Sequence, residues 1–184
     1  MSQTLYFATS NEGKIKEAQL ILGFPIEIAR LDLDEIQSSE IEEVVKKKVE
    51  TAYEIVKQPV IVDDMGFYVD VWKGFPGPLV KFILPKDSND LLLYMMRNET
   101  NRNITAVSAI GFCDGKRTEA FIGKMPGTLT YEEKGKKGFG FDPIVIPEGY
   151  SETIGELGLE VKNTLSHRYR SLNMLNDFLR DYWK

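Results

Sequence analysis

The stretch "LYFATSNEGKIKEAQLIL" (residues 5–22) decides the fold class. Its first four residues are a short continuous apolar run, the signature of a buried strand. "GKIKEAQLIL" (13–22) reads as a helix closed by Gly23 and Pro25. A strand, a short polar turn and a helix, in that order, open an α/β protein.

The same reading extends along the chain. "SSEIEEVVKKKVETAYEIV" (38–56) is a second helix, with Ser39 and Glu42 spaced as a capping box and Glu42–Lys46 and Glu43–Lys47 as favourable i,i+4 pairs. "PVIV" (59–62) is another buried strand, ending at Asp63 and Asp64. "NITAVSAIGFCDGKRTEAFIG" (103–123) alternates around Asp114-Gly115, a strong hairpin signal. "DPIVIP" (142–147) is the last strand. Beyond it Leu172, Leu175, Phe178, Leu179 and Tyr182 recur at helical spacing, so Ser166 becomes an N-cap with His167 and Arg168 in the first turn. Helix-linked and hairpin-linked strands together predict an α/β protein with a mixed sheet.

With 184 residues, 42% of them hydrophobic, the chain suits one domain over residues 1–184 with a substantial core. Glycines and prolines are scattered, and no linker, repeat or low-complexity tract stands out. The net charge of -5 offers no general attraction to nucleic acid or to an anionic membrane, so any phosphate must be gripped locally. Cys113 is the single cysteine, which excludes an intramolecular disulfide. "TLYFA" runs straight into polar "TSNEGK", without a signal-peptide pattern, and no apolar span is long enough for a membrane; the expected compartment is the cytoplasm.

Several residues depart from a purely structural pattern. In "TSNEGK" (9–14), Thr9, Ser10, Asn11 and Lys14 sit where a helix begins, a set that suits a phosphate; the alternative is Asn11 as an ordinary cap and Lys14 as a solvated lysine. Lys48 interrupts the apolar face formed by Ile41, Val44, Val45, Ala52 and Ile55, so it either snorkels to solvent or reaches an anion in a cleft. Asp63 and Asp64, with Glu35 as a partner from a preceding loop, are hard oxygen donors for Mg²⁺ or a general base; turn chemistry is the competing account. Phe139 and Phe141 flank Gly140, pointing the same way if the chain is extended, and precede Asp142, which suits stacking on a base and reading its edge, or a pair of core rings beside a turn. Arg168 and Arg170 in the first turn of a helix oppose its dipole, so another role explains them.

"TSNEGK", "DEIQ", "VDDMGF", "GFPGPLVKF", "GFGFDPIVIP" and "VKNTLSHR" follow one another in an order that resembles the inosine/xanthosine triphosphate pyrophosphatase family. The resemblance spans the chain from Thr9 to the final helix, and "FGFDP" followed by "SHR" is its most specific part. It implies an α/β fold with an elongated mixed β-sheet flanked by helices, two lobes with a nucleotide-binding cleft between them, and a homodimer. It implies Mg²⁺-dependent hydrolysis of non-standard purine nucleoside triphosphates (ITP, dITP, XTP) to the monophosphate and pyrophosphate. By the same resemblance, Thr9, Asn11, Lys14, Lys48 and Lys162 hold phosphate, and Glu35, Asp64 and Asp63 hold metal. Asp64, with Lys48, carries the chemistry. Phe139, Phe141 and Asp142 form the base pocket, and Ser166, His167 and Arg168 read the purine, Arg168 donating to the 6-oxygen. Asp63 stands where the family usually has glutamate, Met65 where serine is common, and Val161 where an acid often precedes the Lys-Asn pair. The rival readings are a pyrophosphatase for modified pyrimidine nucleotides and a sensor that binds nucleotide without hydrolysing it.

Overall fold

A computed structural model describes residues 4–84 and 88–183. Its elements in order are β1 (Leu5–Ala8), α1 (Glu12–Leu22), β2 (Ile26–Ala29), α2 (Ile41–Val56), β3 (Val60–Val69), β4 (Pro76–Gly77), α3 (Asp90–Met95), β5 (Asn103–Cys113), β6 (Thr118–Leu129), β7 (Val145–Pro147), α4 (Ile154–Leu157), α5 (Leu159–Leu165) and α6 (His167–Tyr182). One seven-stranded sheet runs β2-β1-β3-β5-β6-β7, with β4 on β3; β1 is parallel to β2 and β3, and the remaining pairs are antiparallel. The fold is therefore the α/β type with a mixed, helix-flanked sheet that the sequence predicts. Among the described residues no helix is long and apolar enough to cross a membrane.

Strand alternation sorts the core. Val60 and Val62 of β3 point to α2 and meet Ile41, Val45, Val49 and Ala52. Ile61 points the other way, to Ala18 of α1 and to Leu172, Leu175 and Leu179 of α6. Successive side chains on a strand face opposite sides, so Asp63 inherits the α6 face and Asp64 the α2 face. A third cluster, with Phe67, Ile104, Met125, Phe141 and Ile144, fills the far end of the long strands. Two glycines permit close helix approach. A Cβ at Gly111 would strike the backbone of α2 at Val45, and one at Gly123 would strike the first turn of α6 at the His167 carbonyl and the Ser171 N–H.

Three local expectations change. Asp63 and Asp64 do not end a strand: β3 continues through them to Val69, because the following residues pair with β5 as far as Ile104. The Ser39–Glu42 capping box does not form. α2 begins at Ile41 after Glu40, and the Ser38 hydroxyl donates to Glu43 instead. Residues 142–144 form a 3₁₀ turn, leaving β7 only three residues long. The caps at Asn11, Gly23 and Ser166 and the hairpin at Asp114-Gly115 are present.

Candidate active site

A pocket of about 700 Å³ opens where the starts of α1 and α6, the middle of β3 and the loop before residue 142 come together. Its lining includes Asn11, Lys14, Glu35, Asp64, Lys81, Asn89, Phe139, Asp142, Lys162, His167 and Arg168.

One end is ionic. The Lys48 ammonium bonds Glu35 and stands 3.3 Å from Asp64 Oδ2, so the lysine that breaks the apolar face of α2 reaches two carboxylates of the pocket wall. Glu35 also accepts from Lys81 Nζ at 2.7 Å. Burial alone would raise the Glu35 carboxyl, but hydrogen bonds from Lys48 and Lys81 pull it down to about 2. Asp64 is raised above the ordinary carboxylate value, chiefly by burial, against the opposing charges of Lys48 and Lys14. Lys48 is buried too, which by itself would lower it, yet Asp64 and Glu35 hold it above its ordinary value.

At the turn before α1, Thr9 Oγ1 accepts from the Asn11 N–H and Asn11 Oδ1 accepts from the Lys14 N–H, each at 3.1 Å. Asn11 is thus a cap. Lys14 is not a solvated lysine: its Nζ donates to the Asp63 carbonyl at 2.7 Å and lies 3.7 Å from its carboxylate. Burial pushes Lys14 below the usual lysine value.

The other end is a buried ion network. Arg168 donates from Nε to Asp63 Oδ2 and from Nη1 to Glu17 Oε2, both at 2.5 Å. Lys162 Nζ lies 2.8 Å from both Glu17 Oε1 and Asp142 Oδ2, and 4.0 Å from the centre of the Phe139 ring. Asp142 also accepts from the Phe139 N–H at 2.7 Å, and burial raises its carboxyl even against the Lys162 charge. Burial would raise Asp63 as well, but the charges of Arg168 and Lys14 hold it below the ordinary value. His167 packs against Phe141, ring centres 5.5 Å apart, and neither of its nitrogens has a hydrogen-bond partner among the described residues.

The structure thus lines one end with Lys14, Glu35 and Asp64, with Lys48 off the lining and bonded to those two carboxylates, and the other end with Phe139, Asp142, Lys162, His167 and Arg168. Other expectations are placed differently. Asp63 is absent from the pocket lining: strand parity turns its buried carboxylate to Arg168, Lys14 and the Ser108 hydroxyl, so it is not on the wall that holds Glu35 and Asp64. Thr9 and Ser166 also lie off the lining, their hydroxyls spent on backbone N–H groups of the two helix starts. Phe139 and Phe141 do not share an extended chain. Gly138 and Gly140 adopt positive φ, which turns Phe141 inward onto Phe67 while Phe139 stays partly exposed over Gly13. Sequence reasoning missed Glu17 and Lys81. Glu17 carried the same sign as Lys48, a charge beside the buried face of a helix at Ile15, Ala18 and Leu22. Lys81, within the quoted "GFPGPLVKF", carried no signal of its own.

Among the described residues no group of three His, Cys, Asp or Glu side chains gathers as a metal site. Two carboxylates do converge, Glu35 and Asp64, on the single ammonium of Lys48. The two carboxylates are the oxygen donors a Mg²⁺ needs when water and substrate phosphate complete its shell, with Lys48 as the cation that balances them while no metal is bound, so the residues fit that ion.

The neutral state of His167 sets a pH dependence. Burial, then the charges of Arg168, Lys162 and Lys14, push its pKa well below the usual value. An unfolded histidine takes up its proton near about 6.5. Below that pH the unfolded chain binds a proton that the native state does not, so native stability falls as pH drops, by up to about 1.4 kcal/mol per pH unit. Urea unfolding at about pH 7 and about pH 5.5 should show the wild type losing on the order of 1 kcal/mol more than His167→Gln. Equal losses would remove His167 as the cause.

Comparisons agree with this architecture. The Ham1 family profile matches residues 5–178. Relatives described as dITP/XTP pyrophosphatases include one from Methanopyrus kandleri, 38% identical over 95% of each chain, and one from Methanothermobacter marburgensis, 39% identical over 90% of each. The solved structure of the Staphylococcus aureus Ham1 protein is 28% identical, with a TM-score of 0.84 over 98% of this chain and 100% of that one. A HAM1 protein from Coxiella burnetii, 23% identical, has the same fold with a TM-score of 0.84 over 98% of this chain and 100% of its own. Matched in sequence over nearly its whole length and in fold over its sheet and helices, this chain belongs to the Ham1 family.

Proposed function

We propose that this chain hydrolyses non-standard purine nucleoside triphosphates (ITP, dITP, XTP) to the monophosphate and pyrophosphate, removing them from the nucleotide pool. It is a hydrolase of phosphoric anhydrides, acting as one domain over residues 1–184 with the pocket as the cleft between two lobes. The observation that carries this reading is a single nucleotide-sized pocket with metal-capable carboxylates and ammonium groups at one end and an aromatic ring with buried donors at the other. The relatives' description as dITP/XTP pyrophosphatases supports it.

The phosphate end is where the chemistry happens. Glu35 and Asp64 would hold Mg²⁺, which supplies charge neutralisation and acidifies a bound water. Lys14 and Lys48 neutralise the triphosphate, and Asp64 orients the attacking water. At the base end Phe139 stacks on the purine. Arg168 spends Nε and Nη1 on carboxylates, which leaves Nη2 to donate to a 6-oxygen. Adenine presents an amine there, so two donors would face each other. Such a protein works on free nucleotides as a cytoplasmic homodimer, with neither nucleic acid nor membrane as partner.

Product analysis after incubation with Mg²⁺ and ITP, with ATP, GTP and modified pyrimidine triphosphates in parallel, tests the proposal. IMP plus pyrophosphate with ATP largely spared is the expected result. IDP plus phosphate overturns the bond assignment, preferential pyrimidine turnover transfers the activity to the rival substrate class, and binding without turnover leaves a sensor.

A further inference from the structure

Asn89 occupies the N-cap position of α3, where an asparagine side chain ordinarily caps the first turn, yet it makes no cap hydrogen bond. The Ser88 hydroxyl accepts from the Asp90 N–H in its place. The Asn89 carboxamide reaches away from its helix: Nδ2 donates to the Gly140 carbonyl at 3.1 Å and to Glu133 Oε1 at 2.7 Å. It is buried, at 4% exposure, and it lines the pocket.

The segment it grips needs an external hold. Residues 136–140 are exposed, and Gly138 and Gly140 take positive φ; Lys137 ties the start of the segment to the Gly155 and Glu156 carbonyls at 3.0 Å, but the peptide that carries Phe139 lies beyond it and outside the strands. Asp142 holds that peptide from inside through the Phe139 N–H. Asn89 holds it from the opposite pocket wall, across 51 residues of sequence.

We propose that Asn89, oriented by Glu133, is a positioning residue for the purine: it fixes the Gly140 peptide so that the Phe139 ring presents its face to the base. This rests on the functional reading above and adds to it a residue that touches neither phosphate nor metal ligand. Its loss therefore weakens binding of the base and leaves the phosphate end intact.

The test is steady-state kinetics with ITP on Asn89→Ala and on Asn89→Leu, which keeps most of the volume and adds no charge but loses the donor, with tripolyphosphate as a base-free competitor. Losing one charge-assisted and one neutral hydrogen bond at a positioning residue should raise KM for ITP about tenfold in both variants. The kcat should stay within about twofold and the tripolyphosphate inhibition constant should be unchanged. An unchanged KM in Asn89→Leu overturns the proposal, and so does a parallel loss of tripolyphosphate binding, which would mean general disorder of the site. A wild type that fails to turn over ITP overturns the functional reading and this proposal together; a working wild type matched by both variants overturns this proposal alone.

Discussion

Asp64→Asn is expected to cut ITP turnover by at least about a thousandfold while nucleotide binding stays measurable. The argument begins with parity. β3 runs through both aspartates, and only Asp64 faces α2, where Lys48 and Glu35 meet it at the pocket wall. Its carboxyl is raised by burial against the opposing charges of Lys48 and Lys14. The amide keeps the volume and one acceptor oxygen but loses the negative charge that holds a metal and orients the attacking water. Binding persists because Lys14, Phe139 and the base-end residues are untouched. Single-turnover product release together with equilibrium binding of ITP checks both halves. Near-normal turnover would remove Asp64 from the chemistry.

Arg168→Ala is expected to destabilise the fold by about 3–5 kcal/mol, the range for removing one partner of a buried ion pair. Arg168 is 2% exposed and is the shared partner of Asp63 and Glu17, both equally hidden. Its guanidinium is held protonated by those carboxylates in spite of burial. Deleting it leaves Asp63 with Lys14 at 3.7 Å, and Glu17 and Asp142 sharing Lys162 at 2.8 Å, three acids against two lysines. For a chain of this size the midpoint of thermal unfolding should fall by roughly 10 °C. Whatever folded protein remains should show a narrowed preference for ITP over ATP, because the donor aimed at the 6-oxygen is gone. Unchanged stability would mean that water enters to solvate the two acids, and an unchanged ITP-to-ATP ratio would refute base reading by this residue.

These two residues mark how far the sequence could be read. The helical and strand periods and the turn chemistry at Gly23 and at Asp114-Gly115 are local, and they were sufficient for an α/β chain with a mixed sheet. Lys48 was legible as an anomaly because a charge on an apolar helix stripe costs free energy unless it finds a partner, and the quoted motifs carried the family resemblance. The local pattern treats adjacent Asp63 and Asp64 alike, and only the family resemblance singles out Asp64 for the chemistry. Which of them faces the pocket depends on which face of β3 receives α2, and that is settled by packing Val60, Val62 and Ile61 against helices distant in sequence. The network of Glu17, Lys162, Asp142, Arg168 and Asp63 is decided the same way, since its ion pairs join residues as far apart as 17 and 168. Asn89 is the extreme case. Neither α3 nor a role for Asn89 is read from the sequence, and only the arrival of the Gly140 peptide beside it gives that side chain its partner at the pocket wall. Local propensity determined the main helices, the hairpin and the first strands of this protein; the length of β3 and the direction in which each buried charged side chain points were decided by long-range packing, because a strand extends as far as its partner pairs with it and a buried charge must go where its counter-charge is brought.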